Sequence, residues 1–554
     1  MTPAPVAAAL CAWAIQRPDQ TVLDLGVGEG AFALAAVQRL VELGADTRDA
    51  AARVYGAELD HDAHGSAQQA ALSQLGVTLP NVLRGDFHSL PLPSVHAVVG
   101  NPPYIRRHYQ RALDRAIAAN GLAEDGQVSG LTDAYCFFLL RALQALEPGG
   151  RAAVIVSASW LDMNYGRQLK RYLLDEFRIH ALISFDGRVF SDALVKPVVL
   201  LASRAGEPAS VAFSRLKLTV PLEHLQTAIE DISAGRDSIL LNSTTVPQSR
   251  LSADAPWSAY LRAPLLYDEL ARRAGLVPLA EVARSRIGLQ TFAKPFFLLT
   301  REDAAKLGIE PEYLLPIIPS PKASRVPVIS DAGTTTHVLF ACDRPLDRLT
   351  GTNAGRYVEA AMRRPVAVRG TGSAVVGYHN APRLVRAARQ PWFNVRTAVE
   401  RRGAYSIFLP RRVFKNYLVI HNAAGVVANE DFIELGPLAG LASAPPLLAY
   451  LNSSVGEFFV RSQGFQYGGG VFNLNPGRVG LIPVLNSAAL SAAAGERLAG
   501  AWDAFVGRFD HPTARAVLDA AVAESLDISE DLLVRVSRAL DEMVGTALSA
   551  TSNH

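Results

Sequence analysis

Short apolar runs that end in a polar or acidic residue recur along the first 210 residues, and amphipathic stretches separate them. Thr21-Val22-Leu23-Asp24-Leu25 reads as a strand. Gly26-Val27-Gly28-Glu29-Gly30 follows, and then the helical Ala31-Phe32-Ala33-Leu34-Ala35-Ala36. A strand, a glycine turn and a helix make the first unit of a doubly wound sheet. A second strand ends at Val54-Tyr55-Gly56-Ala57-Glu58-Leu59-Asp60, and a third near Leu83-Arg84-Gly85-Asp86-Phe87. A fourth, Val95 to Gly100, runs into Asn101-Pro102-Pro103-Tyr104. Asp133-Ala134-Tyr135 opens an apolar helix through Leu146 that Pro148-Gly149-Gly150 stops. Ala152 to Ser157 and Val198 to Ala202 are further strands, with a loop from Phe185 to Ser191 between them.

Beyond residue 210 the pattern changes. Residues 211–250 carry Ser and Thr clusters and read as a connection. A helix near Tyr260 to Ala274 opens the rest. Ile287 to Thr291 and Pro295 to Leu299 read as strands, and Leu447 to Phe459 as a segment built around Tyr450-Leu451-Asn452-Ser453-Ser454. After Ala488 the chain is Ala-rich and helical. The expected architecture is therefore α/β: a doubly wound Rossmann-like domain over 1–210, a connection over 211–250, and a mixed α+β domain over 251–554 with a helical carboxyl-terminal part.

Bulk properties bound this picture. A chain of 554 residues exceeds one ordinary core. Its net charge of +2 argues neither for nor against nucleic acid. Cys11, Cys136 and Cys342 share no metal-ligand spacing, so buried thiols in a reducing compartment are expected and no metal. The start has no basic leader, and no apolar run is long enough to span a membrane. A soluble cytoplasmic protein is the expectation.

Ligands of open α/β sheets bind at the carboxyl ends of the strands. There the chain carries Asp24, Glu58, Asp86 and Asn101. Gly26 and Gly28 allow the backbone to approach a ligand, although G-x-G-x-G is not the full dinucleotide fingerprint. Glu58 suits two ribose hydroxyls; a solvated acidic loop is its plainer reading. Asp86 can accept from an adenine amino group, and Phe87 can stack on the ring. In Asn101-Pro102-Pro103-Tyr104 the Asn oxygen and a main-chain carbonyl can share one NH2, the prolines remove competing donors, and Tyr104 offers a ring face.

Between residues 363 and 415 arginine dominates, and Glu400 is the sole acid. Arg363, Arg364, Arg383, Arg386, Arg389, Arg401, Arg402, Arg411 and Arg412 are the candidate DNA contacts, interleaved with Trp392, Phe393, Tyr405 and Phe408. Such a run suits phosphates and guanine edges; a solvated basic face is the alternative.

With these motifs the chain resembles the S-adenosylmethionine-dependent adenine-N6 DNA methyltransferases of the TaqI and Eco57I type, which carry target recognition at the carboxyl end. The resemblance implies cofactor binding by Thr2, Asp24, Gly26, Gly28, Glu58, Asp86 and Phe87. It implies catalysis by Asn101, Pro102, Pro103 and Tyr104, with Tyr104 and Phe190 sandwiching an extruded base; Phe185 is the substitute for Phe190. Relatives often have Glu-Pro-Ala where Leu23-Asp24-Leu25-Gly26 stands here. The glycine turn precedes the tetrapeptide by only about 70 residues, so recognition belongs to the later half. The early start and the lack of a P-loop lead to the expectation of a modification enzyme without cleavage or translocation. Its partner is double-stranded DNA, and a separate cognate restriction endonuclease is compatible with it. Methylation of a protein glutamine or an RNA base, and a non-catalytic DNA-binding subunit, are the alternatives.

Overall fold

The computed structural model describes residues 2–89, 91–103, 134–163, 166–186, 197–207, 209–217, 224–233, 236, 241–262, 264–324, 326–368, 373–413, 416–439, 443–466, 472–474, 476–486 and 488–549. The chain divides into two compact units, Met1–Asp268 and Glu269–His554.

The first unit is built on α1 (Ala4–Ala14), β1 (Val22–Asp24), α2 (Ala31–Glu42), β2 (Val54–Glu58), β3 (Val82–Arg84), β4 (Val95–Gly100), β5 (Leu146–Ser157), β6 (Phe177–Asp186), β7 (Pro197–Arg204), β8 (Ser210–Lys217) and β9 (Leu241–Pro247). The strands form one sheet in the order β3-β2-β1-β4-β5-β7-β6-β8-β9. The first five are parallel neighbours. β7 runs antiparallel between β5 and β6. Because side chains alternate across a strand, each central strand feeds both faces. Ala153 and Ile155 pack with α1 and α2 on one side. Ala152, Val154 and Val156 pack with the helix Ala134–Gln144 on the other.

The structure corrects the expected connection over 211–250. β8 pairs parallel with β6, and β9 antiparallel with β8, so this stretch extends the sheet. The physical reason is burial on both faces: Val211, Ala212, Phe213 and Ser214 are buried in succession, and the Ser214 hydroxyl finds that of Ser243 at 2.8 Å. The first unit accordingly ends near residue 268 rather than 210.

The second unit contains a five-stranded sheet and a four-stranded sheet among its described residues. Ile287–Thr291 is not a strand throughout. The strand is Ala283–Ile287, and Leu289 makes an isolated bridge to Asn429. Pro295–Leu299 is a short helix, Lys294–Phe297, followed by the strand Leu298–Thr300. Pro295 sits in the first turn, where its missing N–H costs no helical hydrogen bond. The helices Ala444–Asn452 and Ser454–Gln463 are almost wholly buried, and Ala492–Gly507, Ala514–Ser525 and Glu530–Ser549 end the chain. No helix among the described residues is long and apolar enough to cross a membrane.

Candidate functional site

β1 lies between β2 and β4 and delivers Asp24 to its carboxyl end fully buried. The Leu25 N–H donates to the Val99 carbonyl at 3.1 Å and extends the pairing into the glycine turn. Gly28 adopts φ +54°, and a Cβ there would meet nothing within 4 Å, so the turn opens onto free space. Its N–H donates to Glu58 Oε2 at 2.8 Å, while Glu58 Oε1 accepts from the Asp60 N–H at 2.9 Å. The turn and the acid of β2 are thus one hydrogen-bonded unit.

Asn101-Pro102-Pro103 folds onto that unit. At Gly100, φ is +135°, and a Cβ would lie 2.8 Å from Asp24 Oδ1. Only glycine lets the end of β4 pass this closely. A Cβ on Gly26 would stand 3.1 Å from the Asn101 carbonyl oxygen and 3.3 Å from Pro102 Cα. Thr2, just before α1, accepts from Asn101 Nδ2 at 3.3 Å. Asn101 Oδ1 is buried and has no hydrogen-bond partner, and the same is true of Asp24 Oδ2. Buried acceptors normally find donors, so these two atoms at neighbouring strand ends are free to accept from a donor outside the chain. Burial pushes the Asp24 carboxyl up to about 7; the Gly26 and Ala33 N–H groups lower it and Glu58 raises it further.

Asp86 and Phe87 are placed less simply. Asp86 Oδ1 accepts from the His88 N–H at 3.1 Å and Oδ2 from Ser89 Oγ at 3.0 Å. Phe87 points into the core, stacked on Phe138 with centroids 5.1 Å apart, and the Arg141 guanidinium lies 5.6 Å from its ring. Its ring faces are taken by protein. Leu59, directly after Glu58, is 66% exposed. Tyr104 and Phe190 lie outside the described residues. Phe185 is buried in the sheet core, which removes it as the substitute for Phe190.

All three cysteines are free and buried, and burial raises the Cys11 thiol well above its ordinary value. Neither arrangement suits a thiolate nucleophile.

The nine arginines separate into two groups. Arg363, Arg364, Arg383, Arg386, Arg401 and Arg412 are exposed. Arg389, Arg402 and Arg411 are built into the second unit. Arg389 donates to the carbonyls of Gln290 (2.7 Å) and Thr291 (3.2 Å). Arg402 donates to the Ile287 carbonyl and pairs with Glu434 at 3.0 Å. Arg411 donates to the Glu430 carbonyl at 3.3 Å.

The family model for the Eco57I restriction-modification methylase matches residues 94–190. Type II methyltransferase M.AccI of Acinetobacter calcoaceticus is 22% identical over 492 residues, spanning 86% of this chain and 83% of that protein. Type II methyltransferase M.XamI of Xanthomonas campestris pv. amaranthicola is 29% identical over 306 residues, 54% of this chain and about half (52%) of that protein. The solved structure of the type IIL restriction-modification enzyme MmeI in complex with DNA aligns with a TM-score of 0.59 at 12% identity, over 98% of this chain and 75% of that one, a likeness of fold. The matched segment, residues 94–190, holds Asn101-Pro102-Pro103, against which the glycine turn packs, and in that segment the chain is similar to the Eco57I restriction-modification methylases.

Proposed function

We propose that this methyltransferase moves a methyl group from S-adenosylmethionine to N6 of an adenine extruded from duplex DNA, as the modification component of a restriction–modification system in the cytoplasm. The observation that carries the reading is the orphaned Asn101 Oδ1, buried beside the glycine turn. The residues fit the cofactor. Glu58 keeps lone pairs free for ribose hydroxyls, Gly28 leaves open space, and the second Asp24 oxygen has no partner. When bound, the cofactor supplies an electrophilic methyl group beside the site.

The protein's task is then the amine. An adenine N6 lone pair is delocalised into the ring. Asn101 Oδ1 and the Pro102 carbonyl would accept its two N–H groups and favour a more tetrahedral, more nucleophilic nitrogen. The same acceptors meet the positive charge that grows on nitrogen, so they bind the transition state more tightly than the ground state. With the nitrogen held this way, it would accept the methyl group that the cofactor supplies as its bond to sulfur gives way, and the proton left on nitrogen would go to water. Extrusion costs a few kcal/mol, which stacking by Tyr104 and Phe190, assigned by the resemblance, would partly offset. The exposed arginines of the second unit would grip phosphates.

The test is incubation with methyl-labelled cofactor and, separately, unmethylated duplex DNA, RNA and protein extract, followed by hydrolysis and product identification. N6-methyladenine in DNA, lost in Asn101→Ala, is expected. Label confined to RNA or to protein glutamine, or tight duplex binding with no label in any substrate, would overturn the proposal.

A further inference from the structure

The second unit holds an aromatic side chain in a place that costs it conformational energy. Phe292 has φ +66° and is 37% exposed. A bulky residue rarely occupies left-handed backbone, and such strain concentrates at binding sites. Partial burial of the ring offsets some of that cost and leaves about a third of the residue facing solvent.

Its surroundings are specific. The Arg389 guanidinium lies 5.4 Å from the Phe292 ring and 5.7 Å from the Phe297 ring. Hydrogen bonds to the Gln290 and Thr291 carbonyls lock it there. Arg389 follows Ala388, another left-handed residue, which ends the helix Pro382–Ala387 carrying the exposed Arg383 and Arg386. The loop of Phe292 is anchored at its base. The Leu289 N–H donates to Ala428 at 2.7 Å, and the Glu430 N–H to Leu289 at 3.1 Å. Lys294 pairs with Asp431 at 2.8 Å, and the largely exposed Arg412 reaches the same carboxylate at 3.8 Å. A loop anchored at its base therefore presents the Phe292 ring beside the Arg389 guanidinium, with Lys294, close along the chain, held by Glu430 and Asp431, and Arg412 held by Asp431.

We propose that Phe292 is a base-stacking wedge that engages an unstacked step of duplex DNA, with Arg389 as its brace and the surrounding cations on the flanking phosphates. This rests on the reading of duplex DNA as the substrate. A phenyl ring makes no hydrogen bonds to base edges. Its contribution is stacking and the deformation that it holds, both tolerant of sequence, while phosphate contacts set the dependence on salt.

The experiment uses the full chain and unmethylated plasmid DNA, with methylated positions mapped by sequencing. A duplex bearing a mapped site is then titrated at several salt concentrations. Phe292→Gly is expected to keep the thermal midpoint close to the parent's, because relief of the left-handed backbone offsets the burial that the ring gives up. It is expected to bind the duplex about tenfold more weakly, with an unchanged slope of log affinity against log salt. Phe292→Tyr is expected to bind like the parent. A Gly variant with parental affinity, a lowered midpoint accompanying any loss, or a Tyr variant as weak as Gly would overturn the wedge. Absence of any methyl group in DNA from the parent protein would instead remove the duplex-DNA reading, and the wedge with it.

Discussion

Gly26 and Asn101 touch through their backbones: a Cβ on Gly26 would lie 3.1 Å from the Asn101 carbonyl oxygen. That separation is tighter than ordinary van der Waals contact, so Gly26→Ala must push the tetrapeptide away by a few tenths of an ångström. In-line transfer is sensitive to such shifts. The expected outcome is a fall in kcat of about tenfold with a thermal midpoint close to the parent's. Steady-state kinetics beside a melting curve check this, and an unchanged kcat would mean that the turn does not position the tetrapeptide.

Thr2 acts on the side-chain amide of the same residue. Its hydroxyl oxygen accepts from Asn101 Nδ2 at 3.3 Å and so orients the side chain. Thr2→Val removes the acceptor at nearly constant shape. Stability should fall by about 1 kcal/mol, and kcat by more than that one bond would suggest, because the amide becomes free to rotate. Thr2→Ser should restore the rate. Equal kcat in the Val and Ser variants would disprove the positioning role.

Asp24 sets a pH dependence whose sign can be worked out. Its folded value, about 7, lies above the ordinary 3.8, chiefly through burial. The folded protein therefore holds a proton that the unfolded chain releases, and this group's stabilisation fades as pH rises from about 4 to 7. Asp24→Asn should flatten that decline in denaturant titrations from pH 5 to pH 8. A cationic ligand nearby reverses the preference. Cofactor binding should strengthen as pH rises toward 7, release up to one proton, and level off above it. Calorimetry in buffers of different ionisation enthalpy measures the released proton, and its absence would separate Asp24 from the cofactor.

Much of the site was legible because strand ends are legible. Continuous apolar runs ending in Asp24, Glu58 and Asn101 could be placed as buried parallel strands by the carboxyl-edge rule, and the structure brings the turn and Asn101-Pro102-Pro103 together. What misled was local. Phe87 follows Asp86 as a stacking residue would, yet its ring turns inward because Phe138, far along the chain, offers a stacked partner. The Ser and Thr of 210–247 hid two strands, since hydroxyl pairs across β8 and β9 are invisible to hydropathy. Asn452, in the segment Leu447 to Phe459, belongs to the core: its amide holds both the N–H and the carbonyl of Val419, at 2.9 and 3.0 Å. No charge count could have separated the arginines that fasten loops from those that face solvent.

That separation yields a paired expectation. Arg402 is partly buried, donates to the Ile287 carbonyl and shares Glu434 with Arg286. Arg402→Ala should cost about 1–3 kcal/mol of stability, since Glu434 loses one of its two cations and a carbonyl loses its donor. Arg383 and Arg386 are exposed on one short helix. Replacing both with Ala should leave the thermal midpoint unchanged and lower the salt slope of duplex binding by about 0.9 for each phosphate no longer neutralised. In Arg402→Ala, measured below its own melting transition, the slope should stay parental. If instead the double variant kept the full slope and Arg402→Ala reduced it, the buried arginine would be the phosphate ligand and the exposed pair a solvated face.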